Sequence, residues 1–215
     1  MDVQNAILNR RSVRDFNSKP VEFEKLTMIL EAAAHAPSAG DLKDFKFLVV
    51  TDKALIKQIA ENSQHQYWMA KAPMFIMVLS DFGQTKELYK ERGERLYSVQ
   101  NSAAAIQNIL LSAHSMGLSS CWVGSFDENK IKVLLGIPDN VRPQAIIPIG
   151  YSDENPQMDK EPNLQTMVYF NGYGSKVKNM NILLREYSKE IEKVSGDTQG
   201  FFDKLTEKIN SFFKK

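Results

Sequence analysis

Residues 97–116 are the stretch that most limits what this chain can fold into. Ala103, Ala104, Ala105, Ile106, Ile109, Leu110, Leu111 and Ala113 spread apolar side chains over most of the circumference of a helix. A helix apolar on nearly every side has to be enclosed by other elements. Its alanines favour close approach of a second helix, within the chain or across a subunit interface. Gly117 is placed to close it as a C-cap. The run Met74-Phe75-Ile76-Met77-Val78-Leu79, introduced by Pro73, has no polar residue at all. That is the pattern of a strand buried on both faces. With the strands and helices that alternate along the rest of the chain, these two runs argue a mixed α/β layer fold.

The rest of the chain supplies the layers. Val3, Ile7 and Leu8 make a short amphipathic opening helix. Over 22–34, Phe23, Leu26, Ile29, Leu30 and Ala33 share one helical face, with Pro20 ahead of it and Pro37 to stop it. A strand over 45–50 and a helix over 53–62, with Leu55, Ile56 and Ile59 inward, precede the apolar strand. Residues 84–95 are polar and read as a solvated helix or a mobile excursion. A short strand over 119–123 ends at Gly124, a helix capped by Asp127 follows over 127–134, and 143–150 is the last core strand. This alternation leaves the strand order open.

After Gly150 the sequence turns polar. In the tail, Ile182, Leu183, Tyr187, Ile191 and Val194 mark one amphipathic helix. Beyond Ser195-Gly196-Asp197, Phe202, Leu205, Ile209 and Phe213 mark a second, with lysines elsewhere on its surface. Packing on the body or on a partner subunit is preferred to a basic helix on a membrane surface, since such helices usually cover core.

Charge narrows the partners. Among 215 residues, 27 basic and 26 acidic side chains leave +1, which gives no electrostatic ground for nucleic acid. The single cysteine, Cys121, excludes an internal disulfide and a cysteine metal cage. Met1-Asp2-Val3-Gln4 shows no basic segment leading into an apolar one, and no apolar run approaches the ~18 residues of a membrane span. The expectation is a cytoplasmic protein.

The segment Arg10-Arg11-Ser12-Val13-Arg14-Asp15-Phe16 concentrates guanidinium forks and a hydroxyl, groups that fit phosphate oxygens. Taken alone, a solvated basic loop is the plainer reading. Ala36-Pro37-Ser38-Ala39-Gly40 follows, small enough for close backbone approach. Later come Cys121-Trp122-Val123-Gly124-Ser125-Phe126 and Ile146-Ile147-Pro148-Ile149-Gly150-Tyr151. In this order and at this spacing, the four segments resemble the FMN-dependent nitroreductase family, over residues 1–172.

The resemblance implies an α/β (α+β) fold, with a mixed central sheet flanked by helices in an intertwined homodimer. It divides the chain into an FMN-binding domain, 1–172, and a C-terminal helical extension, 173–215. It implies FMN as cofactor and NADH or NADPH as hydride donor to flavin N5. A nitroaromatic, quinone or similar small molecule then takes the electrons in an alternating scheme. It assigns Arg10, Arg11 and Ser12 to phosphate and ribityl, and Arg14 to the pyrimidine edge. Pro37, Ser38 and Ala39 come from the partner subunit to close the other side of the flavin. Gln66 goes to the pyrimidine ring, the N–H groups of Val123 and Gly124 to N5 and O4, and Lys160 to the phosphate. Trp122 lies near the ring system or in the core. Surface charges, a helix-stop loop and a strand-ending turn are the structural alternatives for these residues. The chain departs from the family pattern at Asp41 and Lys43, an acid where an asparagine amide is usual and a new cation nearby.

No catalytic constellation competes with this. There is no Gly-x-Gly-x-x-Gly or phosphate-loop motif. His35, His65 and His114 are scattered, with no metal-ligand spacing, and His114 reads as a satisfied interior histidine. Cys121 lacks a histidine partner. A chain without its own catalytic group fits an enzyme whose cofactor carries the reaction. Two rivals remain at this level. One is a specialised flavin-destroying or dehalogenating relative. The other is an FMN-binding interaction protein that docks a partner or membrane through its C-terminal helices.

Overall fold

The computed structural model describes residues 1–157 and 162–175. The chain divides into two compact units, Met1–Met158 and Asp159–Lys215. The expected tail helices and Lys160 lie outside the described residues.

In the first unit the helices are α1 (Val3–Asn9), α2 (Phe23–Ala34), α3 (Lys53–Glu61), α4 (Gly83–Arg92), α5 (Ser98–Ser115) and α6 (Glu128–Leu135). The strands are β1 (Phe45–Val50), β2 (Met74–Asp81), β3 (Ser119–Ser120) and β4 (Val141–Gly150). Local chemistry sets several boundaries. Asp2, Asp52 and Asp127 each accept the N–H three residues on, capping α1, α3 and α6. Gly136 closes α6 in the left-handed region, at φ 65°.

The sheet order is β1-β2-β4-β3, with every strand pair antiparallel. A parallel bridge from Ser12 to Ser120 lays the arginine segment along its β3 edge. Strand alternation explains why β2 is apolar on both faces from Met74 to Leu79. Met74, Ile76 and Val78 face one core with α2 and α5, while Phe75, Met77 and Leu79 face a second core with α3 and α6. Phe23, expected inward, is 76 % exposed. It heads α2, and contacts with the core begin a turn later at Leu26. The expected strand over 119–123 reduces to two residues plus a bridge between Val123 and Ile146.

The polar excursion is helix α4, which turns sharply at Lys90 (φ 54°) and passes into a wider turn over Gly93–Tyr97 before α5. At the end of β4, a Cβ on Gly150 would lie 2.6 Å from Pro73 Cδ and 3.3 Å from Phe16 Cδ1. The rigid proline ring leaves room only for glycine, which lets the arginine segment lie close against the sheet. The described part of the second unit holds a short helix, α7 (Leu164–Met167), and a Tyr169–Tyr173 ring contact at 4.7 Å. No helix among the described residues is long and apolar enough to cross a membrane.

Candidate cofactor site

Three long-range ties hold the arginine segment in place. The Val13 N–H donates to Ser120 O at 3.1 Å, and the Asn17 N–H to Tyr151 O at 2.9 Å. Between them, Glu154 Oε2 accepts both the Arg14 and the Asp15 N–H at 3.0 Å. Phe16 is buried and stacks on Trp68 at 6.5 Å.

This frame separates the three arginines by role. Arg11 turns back on α1, where Nη1 donates to Leu8 O at 2.7 Å and Arg10 O at 2.9 Å. It caps the helix carbonyls. Arg10 is half-buried, and among the described residues its guanidinium has no hydrogen bond or ion pair. Arg14 is exposed, and its guanidinium sits 5.9 Å over the Trp68 ring with no acidic partner among the described residues. Arg92, Arg95 and Arg142 are all engaged, with Tyr97, Glu91 and Glu128. Cationic groups left open on a fixed segment are what a phosphate-bearing ligand requires.

Across β3 lies the Val123–Gly124 turn. The Val123 N–H is committed to Ile146 O at 3.0 Å, so it holds the turn on β4 and is not free for a ligand. That corrects the expectation that both amides face outward. Gly124 is exposed, its N–H makes no backbone hydrogen bond, and a Cβ there would meet only Trp122 at 3.7 Å. Trp122 is 40 % exposed and so lies at the rim rather than in the core. Gln66 is drawn to the same turn, with Nε2 donating to Ser63 O at 2.9 Å and Ser125 O at 3.2 Å. Its amide nitrogen is therefore used within the chain. The two residues before it, Gln64 and His65, both adopt φ 55°. Such strain persists only where surrounding contacts impose it and often marks a functional loop.

His114, in the last turn of α5, departs from the satisfied histidine expected. Its Nε2 is buried without a hydrogen-bond partner among the described residues. Burial, then the charges of Arg10 and Arg11, push its pKa down. Burial pushes the Cys121 thiol up, opposed mainly by Arg14, so it stays a neutral thiol near neutral pH.

Pro37, Ser38 and Ala39 are elsewhere. The Ala39 N–H donates to Asn101 Oδ1 at 2.8 Å, near the start of α5. Asn101 Nδ2 and Thr85 Oγ1 each donate to the buried Asp44 carboxylate at 2.8 Å. The departures from the family pattern are accommodated here. Lys43 Nζ pairs with Asp41 at 2.9 Å and donates to Ala36 O at 2.7 Å, while the Lys43 N–H reaches Ser38 Oγ. Gly40, Asp41 and Lys43 all have positive φ. The loop is strained, and the ties at both ends keep it so.

Asn101 and His114 lie about 20 Å apart along α5 at 1.5 Å per residue. One chain thus brings Arg10, Ser12, Arg14, Gln66, Val123 and Gly124 to one sheet edge and leaves Pro37, Ser38 and Ala39 at the other end of α5. Local pattern gave no sign of Glu154, His114 or the Asp44–Asn101–Thr85 cluster. Their contacts span long separations, 140 residues for Glu154 to Arg14.

An antiparallel sheet between helical layers defines an α/β protein, here with open guanidinium groups on a segment fixed at the sheet edge. Comparison with known proteins gives the particular family. The Nitroreductase family model matches residues 7–66 and 62–151, and the chain belongs to the nitroreductase family. It is 38 % identical over 160 residues to a putative NADH dehydrogenase/NAD(P)H nitroreductase of Methanothermobacter thermautotrophicus, covering 73 % of this chain and 80 % of the relative. The solved structure of a putative NADH dehydrogenase/NAD(P)H nitroreductase from Parabacteroides distasonis superposes with TM-score 0.70 at 28 % identity, over 80 % of this chain and 98 % of that one. An FMN-dependent nitroreductase from Clostridium difficile gives TM-score 0.67 at 27 % identity, over 79 % and 99 %.

Proposed function

We propose that this protein is an FMN-dependent oxidoreductase, active as a homodimer, that passes electrons from NADH or NADPH to a small acceptor such as a nitroaromatic or a quinone. The observation that carries the reading is the pair of open guanidinium groups, Arg10 and Arg14, on a segment fixed beside the free Gly124 amide. The names of the relatives, NAD(P)H nitroreductase and FMN-dependent nitroreductase, support the same cofactor and donor.

Bound FMN supplies hydride acceptance from the nicotinamide and electron delivery to the second substrate. The chain's own residues bind and orient. Arg10 and Ser12 hold phosphate and ribityl, and Arg11 keeps their turn in shape through α1. Arg14, held over Trp68, supplies positive charge at the pyrimidine edge, where reduction places negative charge. The Gly124 N–H is the donor nearest N5 and O4, and Val123 and Gln66 fix that turn. Lys160 is assigned to the phosphate by its place in the sequence alone.

The dimer is part of the proposal because one chain leaves Arg10 at the His114 end of α5 and Pro37, Ser38 and Ala39 at its Asn101 end, about 20 Å apart along the helix. A second copy supplies them to the open face. Val3, Ile7, Leu8, Phe23 and Met28 on α1 and α2 are exposed apolar side chains. Val3 among them lines a groove of about 420 Å³ between α1, α2 and α5, with Ala6, Ala32 and Leu111, and such apolar surface marks an association face.

Anaerobic titration of the purified protein with each nicotinamide tests the reading. The visible flavin band should bleach with NADH or NADPH and return on adding a quinone. A flavin band that neither nicotinamide bleaches would overturn the proposed activity.

A further inference from the structure

The short helical turn over Tyr67–Lys71, just ahead of β2, meets the arginine segment at three successive residues. It carries Trp68, whose ring stacks on the buried Phe16 at 6.5 Å and packs against the core of α3 and α6. The Arg14 guanidinium lies 5.9 Å from the centre of that same ring, within cation–π range. Three residues on, Lys71 Nζ pairs with Asp15 at 2.6 Å. The acid beside Arg14 in the sequence is thereby held by another cation, and the Arg14 charge has no acidic partner among the described residues. That charge opposes the rise of the Cys121 thiol, so it acts along the edge that carries the Gly124 turn. Glu154 fixes only the backbone of Arg14. An exposed arginine without a further contact samples many rotamers and spreads its charge over all of them.

We infer that Trp68 is a positioning residue that sets the reduction potential of the flavin: its ring holds the Arg14 guanidinium at the pyrimidine edge, where reduction places negative charge. This rests on the FMN reading above and adds to it what governs how readily the bound flavin takes electrons. A charge already in place stabilises the reduced flavin with no reorganisation. A charge free to swing into solvent stabilises it less, because water screens it. Trp68 therefore acts through Arg14, away from the phosphate end assigned to Arg10 and Ser12.

Anaerobic redox titration of the FMN-loaded full chain against an indicator dye tests this. Trp68→Leu should lose about tenfold of the preference for reduced over oxidised FMN, a fall of about 30 mV in a two-electron potential. Trp68→Phe, which keeps a ring beside the guanidinium, should recover most of the loss. Arg14→Gln should fall at least as far, and adding Trp68→Leu to it should cost nothing more. A merely structural role for Trp68 would lower the melting midpoint and leave the potential where it was. An unchanged potential in Trp68→Leu, a further fall once Arg14 is replaced, or loss of flavin from a folded Trp68→Leu chain would overturn the role of Trp68. If Trp68→Leu does not fold, Trp68→Met, also without a ring, gives the same readings. A wild-type chain that binds no FMN would instead refute the FMN reading itself.

Discussion

The Arg10→Ala, Arg14→Ala double variant should purify without colour. Each residue offers a charge-assisted contact to the flavin, and a hydrogen bond to a charged group is worth about 1.5–3 kcal/mol. Losing two costs about 3–6 kcal/mol, which weakens FMN by between ~10² and ~10⁴-fold. Neither guanidinium has a hydrogen bond or ion pair within the described chain, so the fold itself loses little when they are removed. Arg11→Ala is the matched control. Its guanidinium is spent on Leu8 O and Arg10 O, so the main expected effect is fraying of α1, with FMN affinity largely kept. Flavin content by absorbance and melting by circular dichroism separate the two outcomes. A fully yellow double variant would show that the arginines are misassigned.

The second large effect is at Asn101. Its side chain both accepts from the Ala39 N–H and donates to the buried Asp44 carboxylate. Asn101→Leu keeps the approximate volume and leaves both partners unsatisfied. At about 1–3 kcal/mol for each orphaned buried group, the loss is about 2–6 kcal/mol. For a domain of this size that lowers the melting midpoint by roughly 5–20 °C. Thr85→Val removes a single donor from the same carboxylate and should cost less. The Asn101 variant also frees the strained Ser38–Asp41 loop, so FMN loss should accompany the stability loss. A melting midpoint within a degree of wild type would show that the cluster does not hold that loop.

Period-driven elements were readable in advance. The all-apolar run of β2 and the helical stripe of α3 are signals each segment carries within itself, and the aspartate and glycine caps fix helix ends locally. What depends on partners far along the chain was not readable. β3 is two residues long because β4 and Ser12, not its own composition, define the pairing. Asp44 has no local mark of burial, since its partners are in α4 and α5. The arginine motif singled out three guanidinium groups together, and only the fold separates Arg11, turned into α1, from Arg10, which lines a cavity with His114. The Val123–Gly124 turn was likewise recognised as a unit, while β4 claims one of its two amides. Resemblance supplied the family where local chemistry offered only a basic loop.

The account comes down to a flavin lodged where two copies of this chain meet, gripped by the arginine edge of one and closed by the Pro37–Ala39 loop of the other. Native mass spectrometry of the purified full chain measures that directly. The predicted species is two chains carrying two FMN. A single chain, with flavin or without it, would contradict the account.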